Sequence, residues 1–160
     1  MAHTVGILVG VALIASVVLH FLIPVPAEKV PLQPLRVRLF RIVLGLVSVA
    51  MLLQVILGAY LRHVEWRAGV LVLHALGGLA IAMLIIGMVV LAFEMPKALV
   101  GLRRTVFGVA IWVQVQILLG IFAFALSGLA WVGTLHHVGA GVLLAAVAMI
   151  AVRARQSVVL

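Results

Sequence analysis

The chain reads as an all-α membrane protein with five transmembrane helices: a four-helix bundle from two repeated hairpins, plus one N-terminal helix. Three observations predict this. Of 160 residues, 68% are apolar and 9% charged, with a mean hydropathy of +1.47. Five apolar runs, approximately 4–23, 38–62, 69–93, 102–127 and 131–152, are each about as long as the roughly 20 helical residues that cross a hydrocarbon core of about 30 Å. These runs are apolar on both alternating faces and too long for barrel strands, so helices are the form in which they satisfy their own backbone. Finally, the sequence repeats. Shifted by 62 positions without a gap, Arg41 falls on Arg103, Gln54 on Gln116, Leu57-Gly58 on Leu119-Gly120, Leu73-His74 on Leu135-His136, and Gly77 on Gly139.

The run 4–23 stands outside the repeat. It has no Lys or Arg before its apolar stretch and is long for a signal-peptide core, which predicts a retained helix. Pro24, Pro26, Pro31 and Pro34 then interrupt any helix and mark a boundary. Residues 1–37 are accordingly expected to form an N-terminal helix and proline-containing loop, and 38–153 the bundle, with repeats 38–93 and 100–153. Residues 154–160 form a tail. The first hairpin turns around Arg62 to Ala68 and the second near Ser127-Gly128-Leu129, while Glu94-Met95-Pro96-Lys97 separates the two. Each copy contains an even number of helices, so both enter the membrane from the same side. An axis along the membrane normal then relates them, with helices 3 and 5 facing each other at equal depth.

The formal charge of +8 is an orientation signal rather than a nucleic-acid footprint. Lys29, Arg36, Arg38, Arg41, Lys97, Arg103, Arg104, Arg153 and Arg155 all fall on one side of five alternating helices, against Arg62 and Arg67 on the other. By the positive-inside rule the N-terminus is outside and the C-terminus cytoplasmic, in an integral protein of the cell membrane. Cysteine is absent, which excludes disulfides and thiolate ligands.

His74 and His136 lie about one and a half turns inside the outer ends of their helices. Ionisable residues inside a bilayer are costly and mark functional sites by default. Two at matched repeat positions meet the need of a metal gripped from opposite sides, and a bis-histidine haem is the leading expectation. Without Cys or an intramembrane acid, zinc and di-iron carboxylate centres fit poorly. Gly77 and Gly139, three residues on along the same faces, would leave a groove for a flat macrocycle. Gln54 and Gln116 are placed to hydrogen-bond an imidazole N–H. The plainer alternatives stand beside this: small residues serve close helix packing, and the two histidines can satisfy one another. His137 points about 100° away from His136 and reads as a packing or hydrogen-bonding residue. His63, His20 and His3 read as solvated or bland. Trp66 and Trp131 look like interfacial anchors. Arg62 and Arg67 are the cations nearest the histidine level, suited to haem propionates or to headgroups. Glu65 is the only acid on that side and the candidate for proton handling.

The run Gln54-Val55-Ile56-Leu57-Gly58-Ala59-Tyr60-Leu61-Arg62-His63, its echo Gln116-Ile117-Leu118-Leu119-Gly120, and one histidine in the next helix of each hairpin resemble the heme A synthase family of cytochrome oxidase assembly proteins. Members usually carry two such bundles in eight helices, one histidine pair binding haem b and the other serving the substrate haem. This chain resembles a half-length member, the likeness covering about 38–153. The resemblance implies haem ligation by His74 and His136, a b-type haem with haem O or haem A as substrate or product, and oxidation of haem O to haem A. It also implies terminal oxidase or other respiratory complex subunits as partners. The family's glutamate three residues before the first histidine is Leu71 here, and the arginine that often follows the histidine is Ala75; the second copy has Gly133 and His137. Glu65 would act as the catalytic acid only if the outer turn folds back. One bundle offers one histidine pair, so housing cofactor and substrate haem together requires a homodimer. Two non-enzymatic readings remain: a b-type cytochrome subunit relaying electrons in or beside an oxidase complex, and a structural membrane subunit.

Overall fold

In a computed structural model, the structure describes residues 30–31, 34–63, 68–96, 99–126 and 130–159. They form four long helices: α1 (Pro34–His63), α2 (Ala68–Phe93), α3 (Val100–Ala125) and α4 (Ala130–Ser157). At 1.5 Å per residue, the 26 residues of α2 or α3 reach about 39 Å, more than the roughly 30 Å hydrocarbon core. The described residues therefore hold four membrane-length helices rather than the five expected; the run 4–23, with His3 and His20, lies outside them. Large apolar side chains stand exposed on every helix, among them Leu46 and Leu53, Leu79 and Met83, Ile111 and Ile121, Leu135 and Val142. Such apolar coverage far exceeds what a water-soluble monomer shows, and fits a surface solvated by lipid.

Helix boundaries follow local chemistry. The first begins at Pro34 rather than 38, because proline is pre-set for the first helical turn and gives up an N–H that has no intrahelical partner there. Residues 34–37, expected as loop, thus belong to the bundle. At the other end α4 continues through Arg153 and Arg155 to Ser157, so the expected tail is helical in its first residues. Leaving the apolar layer does not end a helix whose backbone remains hydrogen-bonded. Val158–Val159 then pair in parallel with Val30–Pro31, a two-residue contact. Between α2 and α3 the chain turns tightly: the Met95 N–H donates to the Ala92 carbonyl (3.2 Å) and the Leu99 N–H to that of Pro96 (3.0 Å). Arg36 braces this corner, 3.3 Å from the Glu94 carboxylate and 3.2 Å from its carbonyl.

Packing closes the helices into a ring. Close contact joins α1 to α2, α2 to α3, α3 to α4 and α4 back to α1, leaving α1/α3 and α2/α4 as the diagonals. The buried positions recur every three or four residues, the spacing that turns one stripe of a helix toward neighbours crossing at a shallow angle. They also obey the 62-residue shift. In the first hairpin the stripe is Phe40, Leu44, Val47 and Met51 on α1, with Ile81, Ile85, Met88 and Ala92 on α2. In the second it is Leu102, Val106, Val109 and Val113 on α3, with Leu143, Val147, Ile150 and Ala154 on α4. The duplication is thus present in the packing as well as the letters. This apolar core fills the arginine-rich half of the bundle, whereas both histidines lie in the other half.

Candidate functional site

His74 lies near the start of α2 and His136 near the start of α4. Because these helices are diagonal, the two side chains project toward each other across the bundle axis. Their ring centroids stand 6.2 Å apart with the planes inclined at 75°. A glycine from the preceding helix lies against each ring. A Cβ built on Gly58 would come 3.1 Å from His74 Cε1, and one on Gly120 would come 3.1 Å from His136 Cε1. Any larger residue at either position would press into the imidazole.

The glutamines repeat the pattern one turn earlier. Gln54 donates from Nε2 to the carbonyl of His74, and its Oε1 would lie 2.5 Å from a Cβ on Gly77. Gln116 packs in the same way against Gly139, whose Cβ would sit 2.9 Å from the Gln116 Cδ. The glycines therefore receive the ends of glutamine and histidine side chains. The space that sequence reasoning reserved beside them for a macrocycle is occupied by these groups. The backbones of Gln54 and Gln116 face the His74 and His136 rings respectively, without reaching hydrogen-bond geometry at either Nδ1.

What remains is a set of buried polar atoms without partners among the described residues: Nδ1 of His74, Nδ1 of His136, and both amide atoms of Gln116, a residue only 7% exposed. Unpaired polar atoms cost on the order of 1–3 kcal/mol each where water is excluded. Their concentration at one level of a membrane bundle marks a place where a guest would supply the missing interactions. Two imidazoles are too few for a closed structural zinc site, which takes four ligands, and no group of three or more metal-binding side chains occurs among the described residues. Two opposed imidazoles do match the axial positions of a haem iron. With an imidazole nitrogen about 2 Å from a metal, rings on opposite sides of one ion have centroids on the order of 6 Å apart. The observed spacing fits one intervening ion, while the glycine faces beside the rings, which a macrocycle would need, are taken by Gln54 and Gln116.

The second copy adds features that the first lacks. His137 lies on the neighbouring face, its ring 6.0 Å from that of His136 at 90°. Its Nδ1–H donates to the Gly133 carbonyl at 2.6 Å, and the Arg62 guanidinium approaches the same nitrogen to 3.3 Å. Arg62, on α1, thus stands against α4 beside the histidine level. Trp112 is a residue that repeat comparison passed over, since position 50 is Ala in the first copy. Its indole N–H donates to the Gly139 carbonyl at 3.0 Å. The available signal was a tryptophan in mid-helix, away from the interfaces it prefers, whose N–H needs a partner. Trp131, 61% exposed at the start of α4, is placed as an interfacial anchor would be. Glu65, Trp66 and Arg67 lie outside the described residues, and of His63 only the backbone is described. No protein-family model, curated protein or solved structure matches the chain.

Proposed function

We propose that this chain is a protein of heme A synthase type that holds one haem inside the membrane between His74 and His136. The observation that carries the reading is the opposed histidine pair at matched positions of a duplicated hairpin. Neither Nδ1 has a partner among the described residues, and the ring spacing suits one intervening ion. His74 and His136 would hold it through their imidazoles. Gln54 and Gln116, seated on Gly77 and Gly139, flank the two ligands, and Arg62 with Arg67 would meet the propionates. The absence of cysteine means that the haem is held without covalent attachment, as haem b with haem O or haem A as substrate or product. When bound, such a group supplies one-electron redox chemistry at its iron.

On this reading the activity is oxidation of haem O to haem A in terminal oxidase assembly, with a second copy of the chain providing the second histidine pair and Glu65 handling protons. Five helices, the run 4–23 included, set the N-terminus outside and the C-terminus in the cytoplasm. A second reading is a b-type cytochrome subunit relaying electrons beside a respiratory oxidase. It is favoured by Leu71, an apolar residue where the family carries its glutamate, and by a ligand pair that fills both axial positions and leaves none for oxygen.

Purified protein should carry haem with a low-spin reduced spectrum, and His74→Ala or His136→Ala should each abolish stoichiometric binding. A colourless wild-type protein would refute both readings. Co-expression with a haem O source separates them: haem A in the extracted pigment supports the enzyme, while unchanged haem O on fully loaded protein supports the relay.

A further inference from the structure

An open groove of about 410 Å³ runs along the lipid-facing seam between α3 and α4. Arg104 and Thr105 stand at one end, Trp112 at the other, with Gly108, Ala146 and Met149 between them. Gly108 makes the depression, since a Cβ there would meet nothing within 4 Å. From Arg104 to Trp112 the groove follows α3 for about 12 Å at the helical rise, close to the depth of one leaflet, half of a roughly 30 Å core.

The ends differ in chemistry. Arg104 is exposed and makes no hydrogen bond or ion pair with a described residue. Behind it Arg153 donates to the Gly101 carbonyl (3.0 Å) and to Thr105 Oγ1 (2.7 Å), adding a second cation at the mouth. Glu94, the only acid among the described residues, pairs with Arg36. At the deep end the Trp112 N–H is spent on the Gly139 carbonyl, so the groove closes on the apolar edge of an indole. The first hairpin supplies an internal comparison: Arg104, Gly108 and Trp112 correspond to Ile42, Leu46 and Ala50. Arginine, glycine and tryptophan are missing at those positions together.

We propose that this groove binds one anionic phospholipid, its phosphate at Arg104 and Arg153 and one acyl chain lying over Gly108 with its end toward Trp112. The site is independent of the haem reading. The deep end offers no polar group for the ring of an isoprenoid quinone, whereas a methyl terminus needs none.

The test uses full-length protein in a mild non-ionic detergent, with bound lipid counted by native mass spectrometry after exchange against phosphatidylglycerol or phosphatidylcholine. Wild type should retain about one phosphatidylglycerol in preference to phosphatidylcholine, as expected where a cation faces the headgroup. Arg104→Gln should cut that preference by roughly fivefold, the effect of one juxtamembrane cation. Gly108→Leu, which copies the first hairpin, should abolish retention of both lipids with helicity unchanged. Equal retention of the two lipids by wild type, undiminished retention by Gly108→Leu, or a co-purifying quinone displaced by neither lipid would overturn the proposal. Should Gly108→Leu lose helicity, Arg104→Gln decides alone, because it alters an exposed side chain.

Discussion

Replacing Gly139 with alanine tests whether the glutamine–glycine contacts organise the histidine level. The new methyl would fall 2.9 Å from Gln116 Cδ and closer still to Nε2, well inside van der Waals contact. The Gln116 side chain must leave its place, and it is almost fully buried. Overpacking of this kind costs about 1–3 kcal/mol, while alanine in place of glycine in a helix returns roughly 1 kcal/mol. The net expectation is a loss of up to about 2 kcal/mol. Gly77→Ala should come out close to neutral, because a lost bond offsets the helical gain. There the clash is with the flexible Oε1 at 2.5 Å and Cδ lies at 3.4 Å, but moving Gln54 gives up its bond to the His74 carbonyl, about 1 kcal/mol. Gly87→Ala is the control: nothing lies within 4 Å of its Cβ, so the helical gain of roughly 1 kcal/mol stands alone. Unfolding of purified protein in mixed micelles, followed by circular dichroism as the denaturing detergent fraction rises, reads all three. The reasoning fails if Gly139→Ala is as stable as Gly87→Ala.

Three further substitutions probe the frame in the same assay. Trp112→Phe keeps most of the ring but deletes its bond to the Gly139 carbonyl, and should cost about 1 kcal/mol or less, with quenched tryptophan emission confirming the site. Arg153→Met removes the bonds to Gly101 and Thr105 and should cost about 1–2 kcal/mol, since the donor is charged and half-buried; a neutral result would mean that water replaces the guanidinium freely. Arg36→Gln breaks an ion pair with both partners well exposed, and its cost should stay below roughly 0.5 kcal/mol and vanish in high salt.

Much of the architecture was readable in the letters because the protein is built twice. A shift of 62 residues predicted two equivalent hairpins, and the buried stripes obey it residue for residue, from Phe40 and Leu102 to Ala92 and Ala154. Hydropathy located the helices but not their ends, since Pro34 and Arg155 fit inside helices as easily as beside them. That His74 and His136 face each other also follows from the repeat, whose axis along the membrane normal sets the second helices of the two hairpins diagonally across the ring. The glycines show where local reasoning stops. Their spacing announced room beside the histidines, but what fills the room is decided by Gln54 and Gln116 reaching over from neighbouring helices. Trp112 escaped for the opposite reason: having no counterpart, it was invisible to comparison of the two copies.

The separation of the bundle into an apolar half and a histidine half carries a consequence for assembly. Ile85, Met88, Val106, Val147 and Ile150, almost wholly enclosed, interlock at the arginine-rich end, so the helices can be clamped there before anything occupies the opposite end. There the helix tips are held by a smaller set of buried side chains, Val55, Ala59, Leu61 and Val132, and by single hydrogen bonds such as that from Gln54 to the His74 carbonyl. Opening those tips by local fraying would leave the clamp intact. The fold thus resembles a pair of tongs, hinged by its greasy end, with the two histidines between its jaws.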